Sequence, residues 1–129
     1  MRAAAVLLAL LWAMPAAAAD LRAEIMNAAE HAEYSSESAT IDTARFHLHH
    51  ALNCLVGPAG DGFDATQFYP CRNIGNGIVP DTADPVLRAR FEGAAAAIRK
   101  ALAERDLAKA QAGAADAART IVATLKQVK

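Results

Sequence analysis

The chain has few cysteines, few aromatic residues and no strong excess of either charge. Its 129 residues include two cysteines and one tryptophan, and 13 basic residues face 14 acidic ones, for a net charge of −1. Nucleic-acid-binding proteins normally carry a basic surface, so this balance argues against a nucleic-acid partner. The cysteines form neither Cys-x-x-Cys nor Cys-x-x-Cys-His, so neither thioredoxin-like exchange nor covalent haem attachment has support from a motif. We therefore expect no haem.

Several catalytic motifs are also missing from the sequence. It contains no Gly-x-Ser-x-Gly elbow, no phosphate-binding loop and no His-Glu-x-x-His pair. Asp61 and Asp64 flank a glycine, but the further oxygen ligands of an EF-hand loop do not follow them, so this stretch is interpreted as a turn. Because no nucleophile is paired with a base in a recognisable arrangement, we expect that the protein is not an enzyme.

The N-terminal segment is typical of a secretory signal peptide. Arg2 is followed by about a dozen apolar residues and then by small residues up to Ala19, the pattern of a charged region, an apolar region and a cleavage site. Such a run is too short to cross a bilayer of about 30 Å, and no later apolar run is longer. We expect residues 1–19 to be removed, no membrane span in the mature form, and a periplasmic or secreted location.

Apolar residues after Ala19 recur at helical spacing in four segments, which predicts an all-α fold. The predicted helices cover about residues 21–35, 39–56, 85–104 and 107 to nearly the C-terminus. Asp20, Asp84 and Asp106 precede three of them as N-caps. Short turns within each pair require antiparallel hairpins. Residues 20–129 are therefore expected to form one domain, an up-down four-helix bundle of two helical hairpins joined by a long ordered loop over 57–84.

The core of this domain should be small, because alanine is frequent and large aliphatic residues are sparse. Gly113, inside the fourth helix, is interpreted as a close approach between helices. A disulfide between Cys54 and Cys71 would tie down the long loop in an oxidising compartment and contribute about 3 kcal/mol. The alternative is that the two cysteines act as thiolate metal ligands or as a redox pair.

Three of the four histidines lie within one helical turn, at His47, His49 and His50. At about 100° per residue, His47 and His50 share one side of the second helix and His49 lies on the opposite flank. The first helix carries a matching polar stripe that includes Glu24 and His31. If the two stripes of an antiparallel hairpin face each other, His47 would lie close to His31 or Asn27, and His50 close to Glu24.

This constellation predicts a site for a transition-metal ion. The candidate ligands, imidazoles and a carboxylate, suit copper, zinc or nickel; they are His31, His47, His50 and Glu24. In the alternative interpretation the histidines are structural, with His47 or Asn53 bonded to the long loop. The loop would then recognise a periplasmic protein partner through exposed side chains; its candidate anchors are Phe63, Phe68 and Tyr69.

With His31, the run from His47 to Cys54 and the alanine-rich hairpins, the chain resembles small exported bacterial four-helix proteins that contain histidine clusters. This group includes periplasmic metal-binding and metal-buffering proteins. The resemblance covers the first two helices and the type of fold, and it implies a metal binder or chaperone. Metal buffers usually carry many more than the four histidines found here, which favours one site over high-capacity storage.

Overall fold

The computed structural model describes residues 18–129, and this part of the chain is all-helical, with five helices and no strand. The helices are α1 (Leu21–Ser36), α2 (Ile41–Val56), α3 (Ile78–Asp81), α4 (Pro85–Ala103) and α5 (Leu107–Leu125). The four long helices agree with the predicted ones to within about two residues at each end, where frayed ends make boundaries indefinite. The single-turn helix α3 was not predicted. Most of the predicted signal peptide, residues 1–17, lies outside the described residues.

The predicted N-caps are confirmed. A carboxylate oxygen of Asp20, Asp84 and Asp106 accepts hydrogen bonds from backbone N–H groups in the first turn of α1, α4 and α5 respectively. Thr40 has the same function for α2, where its hydroxyl accepts from the N–H of Thr43 at 3.1 Å. These side chains satisfy N–H groups that have no partner within their own helix, and they set where each helix begins.

The four long helices enclose an alanine-rich core. Helix α1 packs against α2 and α5, and α4 packs against α5 and α2. The larger side chains in this core are fully buried; they include Ile25, Leu48, Phe91, Ile98 and Ile121. A Cβ at Gly113 would lie 2.8 Å from the Cβ of Ala101, so the predicted close approach is confirmed, and it joins α5 to α4.

The segment between α2 and α4 is ordered and folds back onto α2. The predicted disulfide between Cys54 and Cys71 is confirmed, with both cysteines fully buried. Gly57 ends α2 with a φ of +69°, and a Cβ there would lie 1.7 Å from the carbonyl oxygen of Asn76. Only glycine permits this backbone conformation together with so close an approach of the returning chain.

Within residues 18–129, none of the helices is long and apolar enough to cross a membrane.

Candidate metal site

Three histidines from two helices converge at one point between α1 and α2. His31 belongs to α1, while His47 and His50 belong to α2 and are three residues apart on the same face. One ring nitrogen from each of the three lies within 4.8 Å of the others. The Nδ1 atoms of His31 and His47 are 3.2 Å apart. The structure thus brings together three of the four residues predicted as metal ligands.

The packing of α1 on α2 explains this convergence. Ala28 and Ala32 of α1 are fully buried, as are Ala44 and Leu48 of α2. Small side chains on the contact faces allow two helices to approach closely, so polar side chains beside the apolar stripe come within reach of each other. His31 and His47 flank this stripe and are partly exposed, whereas His50 is only 2 % exposed.

Aromatic rings surround the three histidines. The ring centroid of Phe46 lies 4.1 Å from that of His50. Phe68, which belongs to the long loop, has its ring centroid 5.6 Å from that of His50. Tyr34 lies 5.3 Å from His47 and 5.9 Å from His31. These contacts are tilted or edge-to-face, the geometry that aromatic pairs prefer. Aromatic rings therefore line the three imidazoles on several sides.

Burial and mutual repulsion keep the three imidazoles neutral. Burial is the main cause that lowers the pKa of His31 and of His47, and the neighbouring His47 lowers the pKa of His31 further. For His50, burial and then the charges of the neighbouring histidines lower the pKa to about 4. Three imidazolium groups at this separation would repel one another, so the neutral forms dominate near pH 7. Neutral imidazole is the form that coordinates a metal ion.

His50 is the member of the cluster whose polar atoms are least satisfied. Its two ring nitrogens are both buried and neither has a hydrogen-bond partner. By contrast, the Nδ1 atoms of His31 and His47 form a hydrogen bond with each other, in which one donates and the other accepts. A buried polar group without a partner costs free energy, and such groups concentrate where a ligand or ion completes the site.

The predicted fourth ligand, Glu24, lies in another part of the molecule. It precedes His31 by seven residues on α1, about 10 Å along the helix axis. Its Oε1 accepts a hydrogen bond from the N–H of Gly77 at 2.9 Å, and its carboxyl group faces Asp81. The candidate ligand atoms that lie within 4.8 Å of one another come from the three histidines, and no oxygen of Glu24 is among them. The expected contact with His50 is replaced by contacts to the segment after Cys71.

The buried carboxyl group of Glu24 is itself unusual. Glu24 is fully buried, and burial is the main cause that raises its pKa to about 7, while the bond from Gly77 opposes the shift and Asp81 adds to it. No sequence motif marks this carboxyl group. Its surroundings come from a part of the chain about fifty residues away, so helical spacing, which marked Glu24 as a metal ligand, did not predict this environment.

Asn53 of α2 holds the long loop, as the alternative interpretation expected. The side-chain amide of Asn53 donates to the carbonyl oxygens of Asp64 and Phe68, and its Oδ1 accepts from the N–H of Asp64 at 2.9 Å. His49 lies on the opposite flank from the cluster, with its Nδ1 3.9 Å from Asp64. His47 pairs with His31, whereas Asn53 forms the loop contacts.

The loop presents fewer exposed anchors than the sequence suggested. Phe68 is 65 % exposed, but Tyr69 is only 8 % exposed and Phe63 is packed against the core. Tyr69 stacks edge-to-face on Phe63, with 5.4 Å between their centroids. Two of the three side chains proposed as a recognition surface therefore stabilise the fold.

Comparisons with family models, with curated proteins and with solved structures give no match for this chain.

Proposed function

We propose that the protein binds one transition-metal ion through His31, His47 and His50. The observation that carries this proposal is the buried imidazole of His50, which has no hydrogen-bond partner and lies next to two further imidazoles. A purely structural histidine would normally bond to a backbone carbonyl or a carboxylate. A metal ion would provide the missing partner for His50 and would replace the weak contact between the other two rings.

The distances within the cluster suit this assignment. In a tetrahedral site with metal–nitrogen bonds of about 2.0–2.1 Å, two ligating nitrogens lie about 3.3 Å apart. The Nδ1 atoms of His31 and His47 are 3.2 Å apart, so an ion could bind both with little movement of the helices. One ring nitrogen from each of the three histidines lies within 4.8 Å of the other two, and rotation of the imidazole rings can bring the nitrogens closer to ligating distance.

The ligand types point to zinc, copper or nickel. Imidazole nitrogen suits these three metals, whereas magnesium and calcium prefer oxygen ligands. The single ligand cluster in the described part of the chain favours a binder or chaperone for one ion over a store for many. We propose a non-enzymatic role, as expected from the missing catalytic motifs.

We further propose that the metal is bound outside the cytoplasm, on an up-down four-helix scaffold. The disulfide is compatible with export, because such bonds persist in oxidising compartments. Four residues connect α1 to α2 and three connect α4 to α5, lengths that favour antiparallel neighbours. These features support the proposed location and the proposed helix arrangement.

Substitution of single histidines tests the proposal. Titration of zinc or copper(II) against a chromophoric chelator should show that His31→Ala, His47→Ala and His50→Ala each weaken binding by about tenfold or more. His49→Ala is the matched control, because His49 belongs to the same turn but lies outside the cluster, and it should bind like the wild type. Equal losses in all four variants would indicate nonspecific binding by surface histidines. Unchanged affinity in the cluster variants, with lowered stability, would assign the histidines to the structural role.

A further inference from the structure

The histidine cluster offers too few ligands to enclose a metal ion. Among residues 18–129, the cluster of metal-ligating side chains consists of three histidines only. Zinc in closed structural sites has four protein ligands, whereas sites with three protein ligands keep one position for an exchangeable ligand. Glu24, the carboxylate expected to complete the set, is bonded to Gly77 instead. An ion held by the three imidazoles would therefore have at least one free position.

Exposed aromatic rings surround the three histidines. Phe46 is 49 % exposed, Phe68 is 65 % exposed and Tyr34 is 46 % exposed, although large apolar rings are usually buried in a small core. All three rings lie within 6 Å of a cluster imidazole, measured between centroids. Three of the five exposed large hydrophobic side chains within residues 18–129 thus lie around the three histidines, and the other two are Met26 and Val86.

Phe68 is held in place by the fold rather than by its own burial. Asn53 donates to the carbonyl oxygen of Phe68, and Cys71, three residues later, is bonded to Cys54. Both anchoring residues belong to α2, the helix that carries His47 and His50. The backbone of Phe68 is therefore fixed relative to the cluster, and its ring is available for contacts with a ligand without a large ordering cost.

We propose that the metal-loaded site takes an imidazole-type ring as its additional ligand, with the rings of Phe46 and Phe68 in contact with that ligand. This inference rests on the proposed function, since the ligand binds through the metal. A planar nitrogen heterocycle satisfies both features of the site, because its nitrogen coordinates the ion and its ring packs on aromatic side chains. A small anion such as azide satisfies only the first feature.

The test compares imidazole with azide on the copper(II)-loaded protein. Both are titrated at metal saturation, and binding is followed by the visible ligand-field absorption and by electron paramagnetic resonance. We expect Phe68→Ala and Phe46→Ala to lower the affinity for imidazole by about fivefold and to leave that for azide unchanged. Phe68→Leu, which retains an apolar side chain without a ring, should show most of the loss. Val86→Ala, an exposed apolar residue outside the cluster, is the control and should change neither affinity.

The outcomes distinguish a failure of the proposed metal site from a failure of the proposed aromatic subsite. If the wild-type protein binds no metal, the proposed function fails and this inference fails with it. If metal binds but the phenylalanine variants lower imidazole and azide affinity equally, or neither, the metal site stands and the aromatic subsite is refuted.

The source of the ring is distinguished by light scattering on the metal-loaded protein without added imidazole. A monomer rules out a histidine from a second copy of this chain as the source, and the ring must then come from outside the protein. A dimer that dissociates when imidazole is added indicates a histidine from a second copy of this chain. Both results support an imidazole-type ligand when the phenylalanine variants discriminate as expected.

Discussion

The neutral state of the three imidazoles determines how metal binding should depend on pH. A lowered pKa means that a histidine remains deprotonated at a pH where an ordinary imidazole, with a pKa near 6.5, is half protonated. Protons therefore compete less with the metal in this cluster than at three independent histidines.

We predict that zinc or copper affinity falls at a lower pH than it would for three ordinary histidines, because the pKa of each imidazole in the cluster is lowered. Measurement of the dissociation constant from about pH 8 to about pH 5 tests the prediction. A half-loss of binding at pH 6.5 or above would show that the imidazoles titrate as exposed ones do.

Glu24 gives a second pH effect, independent of metal. Because burial raises its pKa to about 7 from an ordinary value near 4.5, the folded state favours the protonated carboxyl group more than the unfolded state does. The stabilisation is fully present below about pH 4.5 and is lost as the pH rises through 7.

Glu24→Gln removes this loss while retaining an oxygen that accepts from the N–H of Gly77. We expect the variant to be more stable than the wild type at pH 8, by on the order of 1–3 kcal/mol, with the difference vanishing near pH 4.5. Urea denaturation at both pH values measures it. Glu92→Gln, at an exposed position of α4, is the control and should have little effect. Destabilisation of Glu24→Gln at both pH values would refute the assigned cause.

At the scale of single elements, two glycines in long helices provide a matched pair. A Cβ added at Gly93 in α4 would meet no atom within 4 Å, whereas one added at Gly113 in α5 would lie 2.8 Å from the Cβ of Ala101. Alanine stabilises a helix interior by about 1 kcal/mol relative to glycine.

Gly93→Ala should therefore stabilise the protein by about 0.5–1 kcal/mol. Gly113→Ala should not, because separation of α4 and α5 offsets the gain in helix propensity. Thermal denaturation of both variants tests the pair. A gain of equal size at both positions would show that α4 and α5 are not in close contact at this point.

The helices were predictable because their signals are local. Asp20, Asp84 and Asp106 mark helix starts within three residues of the groups they cap, and the convergence of His47 and His50 follows from helical spacing within one turn. The environments of Glu24 and Tyr69 were not predictable in this way. These environments depend on where the segment after Gly57 folds back. Contacts between residues that are distant in the sequence determine that position.

At the scale of the whole molecule, the disulfide fixes the returning segment onto α2. It joins cysteines 17 residues apart, and the chain-entropy account assigns about 3 kcal/mol to a loop of this length. In a core built largely from alanine, this is a substantial part of the total stability.

We expect Cys54→Ser to lower the melting temperature by about as much as reduction of the wild type does, because both remove the same constraint. Thiol titration of the unfolded, unreduced protein should detect no free thiol. A melting temperature insensitive to reduction, with two titratable thiols, would contradict a stabilising disulfide.

The central claim is that the three histidines form one metal site, and native mass spectrometry tests it most directly. The purified protein is exposed to zinc, copper(II) or nickel, desalted and weighed intact, alongside His50→Ala and His49→Ala. We predict one bound ion on the wild type and on His49→Ala, and none on His50→Ala. No retained ion on the wild type, or the same ion count on all three proteins, would contradict the claim.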